Sequence, residues 1–70
     1  MAWKYRVVKK QRGLQGEWFS YPGRAFSTLE DATEYATTFA ADQTQAGVVG
    51  TRIVVIGRSR ATILDIVVNR

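Results

Sequence analysis

The chain has no cysteine and no histidine, and it has a single proline. Without cysteine there can be no disulfide and no thiolate metal site, so 70 residues must be held by one core or by self-association. The usual general base and the thiol nucleophile are missing too, and most of the carboxylates fall in one segment that reads as a solvated helix face, so an enzyme is not expected. Only hard oxygen ligands remain for a metal, and no Asp-x-Asp spacing of a calcium loop occurs. The glycine pairs Gly13/Gly16 and Gly47/Gly50 lack the strand-to-helix setting and the lysine of a phosphate loop, and read as turn residues. The expectation is no catalytic residue, no metal and no cofactor. A long apolar run is also absent: charges interrupt Met1-Ala2-Trp3-Lys4-Tyr5-Arg6, which excludes a signal-peptide core or membrane span there and makes a cytoplasmic location without membrane contact the expectation.

The charge is unevenly laid out. Ten Lys and Arg against six Asp and Glu give a formal +4, and the first sixteen residues carry Lys4, Arg6, Lys9, Lys10 and Arg12 with no acid among them. Glu30, Asp31, Glu34 and Asp42 gather in the later helical segment. One small domain with a basic side and an acidic side favours a polyanionic or acidic partner, because summed charge steers encounter.

Residues 1–70 read as a single α+β domain of order ββαββ, one sheet of two hairpins with one helix packed on one face. Residues 3–10 alternate, with Trp3, Tyr5 and Val7 on one side and Lys4, Arg6, Val8 and Lys10 on the other, the period of a half-buried strand. Gln11 to Gly16 reads as a turn and Glu17-Trp18-Phe19-Ser20-Tyr21 as the second strand, after which Pro22-Gly23 is expected to break the ladder. Ser27 and Thr28 each have an acid three residues on, the spacing of a capping box, and predict a helix from Thr28 to about Gln43 ending near Gly47. Leu29, Ala32, Ala36, Phe39 and Ala40 form its apolar stripe, with Leu29 and Phe39 expected to supply most of the bulk.

Thr51 to Ile56 and Ala61 to Val68 are β-branched runs separated by Gly57-Arg58-Ser59-Arg60, and make the second hairpin. In the fourth strand Thr62, Leu64, Ile66 and Val68 share one face, and Ala61, Ile63, Asp65 and Val67 the other. Both faces are apolar, more than one helix can cover, so the chain ends cover the outer face or a second copy does. A homodimer through strands three and four would hide Ile53, Val55, Ile63 and Val67, or their alternates. Asp65, the one acid inside an apolar strand, is expected to be exposed or paired with an arginine such as Arg52.

Basic residues interleaved with aromatics carry the functional expectation. Lys4, Arg6 and Lys10 share a strand face, Arg12, Arg58 and Arg60 lie in the two hairpin turns, and Trp18 offers a ring for a base or a partner side chain. A more ordinary role for these groups is that Trp3, Tyr5 and Phe19 fill the core while the lysines keep an edge strand from pairing. The leading reading is a non-catalytic module contacting nucleic acid or a nucleic-acid-processing complex. The alternative is an adaptor or inhibitor bound to an acidic surface of a larger protein complex, using the same arginines and Trp18 as anchors.

The phrase Phe26-Ser27-Thr28-Leu29-Glu30-Asp31-Ala32-Thr33-Glu34-Tyr35-Ala36, set within two hairpins, resembles a family of short bacterial and phage domains of unknown function in which F-x-T-x-x-E/D-A-x-x-Y-A opens the helix. The likeness covers residues 3–68 in topology and residues 26–36 in motif. Similar wording occurs in the arm-type DNA-binding domain of tyrosine integrases, to which the first hairpin and the helix correspond and the second hairpin does not. Small phage-encoded inhibitors of host nucleic-acid machinery, some anti-CRISPR proteins among them, share the compact layout. These resemblances imply the ββαββ fold and contact with nucleic acid or its machinery.

Overall fold

A computed structural model describes residues 4–69. The elements are β1 (Tyr5–Arg12), β2 (Trp18–Phe26), α1 (Leu29–Gln45), β3 (Thr51–Gly57) and β4 (Thr62–Val68). They form an α+β domain in which four strands make one sheet of order β2-β1-β3-β4, every neighbouring pair antiparallel. The two hairpins are therefore joined through β1 and β3, and β2 and β3 run parallel on either side of β1. Trp3 lies outside the described residues.

The helix begins where the sequence places it. Of the two hydroxyl candidates it is Thr28 that caps, its Oγ1 accepting from the Asp31 amide at 3.2 Å, while Glu30 and Asp31 occupy the positive end of the helix dipole. At the other end the Gly47 amide donates to the Thr44 carbonyl and the Val48 amide to the Gln43 carbonyl, with Gly47 at φ +75°. That paired arrangement satisfies carbonyls left free by the last turn and requires a left-handed residue, which glycine adopts without a Cβ penalty.

Ala32, Ala36 and Ala40 are buried against Val7, Ile53, Val55 and Val68. Small residues at four-residue spacing allow the helix to lie close to the sheet, and the bulk comes from its flank, where Phe26, Tyr35 and Phe39 follow one another at ring separations of 5.2 and 5.9 Å. Leu29 does not contribute as expected: it is 40% exposed and lies outside the core cluster, whereas Ala32 in the same turn is fully buried in it. Phe19 is half exposed as well, and so does not fill the core.

Pro22-Gly23 does not break the second strand. β2 runs through both residues, and the register against β1 shifts between Val7 and Lys9, which absorbs them as a bulge. Pro22 is tolerated because β2 is an edge strand with no outer neighbour needing its amide hydrogen. Gly23 is required: a Cβ there would collide with the Val7 carbonyl.

The loop from α1 to β3 is pinned by side-chain amides. Gln11 accepts from the Thr51 hydroxyl at 2.6 Å and donates to the Val49 and Gly50 carbonyls, and Asn69 donates to the Thr44 and Val48 carbonyls. Thr51 is the buried polar residue at this end of the sheet, and its hydroxyl is satisfied by these bonds.

Candidate functional site

The helix covers one face of the sheet, so the alternation of each strand decides which side chains face the other way. Tyr5 and Val7 of β1, Ile53 and Val55 of β3, and Leu64, Ile66 and Val68 of β4 pack with the helix. Arg6, Val8, Lys10 and Arg12 of β1 then face away, opposite Ile56, Val54 and Arg52 of β3 across the ladder, with Trp18 of β2 opposite Arg12. Hairpin one and hairpin two thus present their outer faces as one surface.

Two shallow grooves lie on this helix-free face. The larger, of about 730 Å³, is lined by Arg6, Lys10, Arg60 and Ser20 over a floor that includes Val8 and Ile56. The other, of about 490 Å³, is lined by Arg12, Arg52 and Trp18 together with Val49 and Val67. Between them Lys10 and Arg52 are register partners. Val8 and Val54, also partners, are buried although no helix covers them, and they lie between the long side chains of Arg6, Lys10 and Arg52, whose aliphatic stems can cover such a pair; the Arg6 Nε is itself buried.

Arg52 makes two contacts on this surface. Its guanidinium lies 5.2 Å from the centre of the Trp18 ring and 3.5 Å from the Asp65 carboxylate, both partners being partly exposed. The expected Arg52–Asp65 pair is present, and it holds the indole and guanidinium together. On the opposite side of the domain, Glu30, Asp31, Glu34 and Asp42 belong to α1, and Arg24 sits there over the Phe26 and Tyr35 rings at 5.6 and 5.3 Å.

Of the residues singled out from sequence, Arg6, Lys10, Arg12, Trp18 and Arg60 come together in these grooves. Lys4, just before β1, and Arg58, in the β3–β4 turn, line neither groove. Arg52 belongs to the surface and was assigned from sequence only as a partner for Asp65. Its parity with Val54 and Ile56 marks its face, but its place beside Lys10 follows from the β1–β3 pairing, which no local pattern encodes.

The apolar residues of the second hairpin divide cleanly. Ile53 and Val55 are fully buried beneath the helix, whereas Ile63 and Val67 are 45% and 41% exposed on the other face, so the four cannot share one interface. No helix among the described residues is long and apolar enough to cross a membrane. Comparison of the chain with protein-family models, with curated proteins and with solved structures finds no match.

Proposed function

We propose that the helix-free sheet face is a docking surface for the phosphate backbone of a nucleic acid, and that the protein is a non-catalytic binding module. The observation that carries this reading is the convergence of Arg6, Lys10, Arg12, Arg52 and Arg60 on one face, where Asp65 pairs with Arg52. Of the other five acids, four lie on α1, behind the sheet, and Glu17 lies in the β1–β2 turn, so most of the acidic charge is placed away from this face and a polyanion is drawn toward it. The cations are long, partly exposed side chains around open grooves, the form in which Lys and Arg neutralise phosphates rather than hold a small ligand.

The test is titration of labelled oligonucleotides from about 50 to 200 mM salt. With four phosphates neutralised, log K should fall with log salt at a slope of about −3 on single strands or about −3.6 on duplex. Replacing Lys10 and Arg60 together by alanine, one from each hairpin, should flatten that slope by roughly 1.4 to 1.8 while the far-ultraviolet circular dichroism stays unchanged. Absence of salt-dependent binding to any nucleic acid at about 50 mM would remove the proposal.

A further inference from the structure

We infer that the strand recognised is single, running across the sheet from one groove to the other with a base stacked on Trp18. This rests on the reading above and narrows it.

Four observations carry it. The groove beside Trp18 is chemically mixed: the exposed indole, Val49 and Val67 form an apolar seat, and Arg12 and Arg52 flank it with charge. An unstacked nucleotide needs both an apolar surface for its base and a cation for its phosphate, whereas duplex DNA keeps its base faces inside the stack and shows the protein only edges and backbone. An aromatic ring within a basic groove is the usual means of holding single strands irrespective of sequence.

The indole also has a partner on the sheet. Arg52 reaches it at 5.2 Å and is itself paired with Asp65, contacts that favour one placement of the ring on the sheet and so lower the ordering cost of binding. The remaining cations continue the path. Arg12, Lys10 and Arg6 follow at two- and four-residue intervals along one face of β1, a track of roughly 20 Å at about 3.3 Å per residue, and Arg60 lies beside its far end.

The shape of the face disfavours a duplex. A major groove about 12 Å wide admits a helix or a two-stranded ribbon. Here the helix lies behind the sheet, and four strands at about 4.8 Å spacing present a surface roughly 14 Å across before side chains are added.

The experiment compares single-stranded deoxy- and ribo-oligonucleotides of about 12 nucleotides, a length within the roughly 4–16 covered by single-strand grooves, with the matching duplex. At least one single strand should bind ten-fold or more tightly than the duplex. Trp18→Ala should weaken single-strand binding on the order of ten- to hundred-fold, Trp18→Phe should restore most of it, and neither should change the salt slope, because neither removes a phosphate contact. In a Trp3→Phe background the Trp18 fluorescence should be quenched on binding. Equal affinity for single strand and duplex, or full affinity in Trp18→Ala, overturns the single-strand inference while leaving phosphate docking in place. Loss of all salt-dependent binding overturns both.

Discussion

The Arg52 guanidinium meets the Trp18 ring although β3 and β2 are not neighbours: β1 runs between them, so the contact is made above the central strand. Its second partner, Asp65, sits on β4, and three strands are thereby linked across the exposed face.

Asp65→Asn should release Arg52 from this pair. The cost in stability is small, about 0.2–1 kcal/mol for an ion pair as exposed as this one. Affinity for nucleic acid at low salt should rise, and the slope should steepen by up to about 0.7 for a single strand. An unchanged slope in the same titration would place Arg52 outside reach of phosphate.

Arg60 holds a left-handed conformation, φ +67°, at a position that also lines the larger groove. Arg60→Gly and Arg60→Ala should weaken binding equally, since each removes one cation. They should differ in melting, with the glycine variant the more stable by up to about 1 kcal/mol because it relieves the backbone. Equal melting temperatures would show that the turn carries no strain there.

Two glycine substitutions should separate crowding from backbone conformation. At Gly47 the space around a Cβ is open and only the left-handed φ is penalised, so Gly47→Ala should cost about 1–2 kcal/mol. At Gly23 the obstacle is the Val7 backbone of the neighbouring strand, which cannot move without opening the ladder, so Gly23→Ala should cost more than the roughly 1–3 kcal/mol of ordinary overpacking. Thermal melts followed by circular dichroism rank the two, and a milder Gly23→Ala would contradict the close approach.

The helix face offers a similar contrast. Ala36 is fully buried, so Ala36→Leu should destabilise by about 1–3 kcal/mol or more. Leu29 is substantially exposed, and Leu29→Ala should stay within about 0.5 kcal/mol. Phe39, half-buried, should fall short of the roughly 3–5 kcal/mol lost when a fully buried ring is truncated to alanine. Chemical denaturation gives all three, and a large loss at Leu29 would mean that its side chain packs into the core.

Much of the fold was legible because its signals are local. The Thr28 cap, the alanine stripe, the two-residue alternation of β1 and β4 and the turn at Gly57 to Arg60 each depend on residues a few positions apart. Pro22-Gly23 departs from its local signal for a related reason: a proline reads as a break wherever it occurs, and only the edge position of β2 makes it acceptable. The exposure of Leu29 depends on how the helix is set on the sheet, which periodicity does not contain. The candidate surface was legible in part. Parity gave the shared face of Arg6 and Lys10, but their union with Arg52 and Arg60 required knowing that β1 lies beside β3.

That same adjacency bears on how the chain folds. Each hairpin closes over a short turn, whereas Val7 meets Val55 only after β2 and the whole of α1 have intervened. Closing so long a loop has an entropic cost that is met before the contacts it permits can compensate, so the β1–β3 seam should set the folding rate. In stopped-flow chevrons, Val7→Ala should act largely on the folding limb, and changes in the β3–β4 turn largely on unfolding. The junction that unites the basic surface is therefore also expected to be the slow step in making the domain.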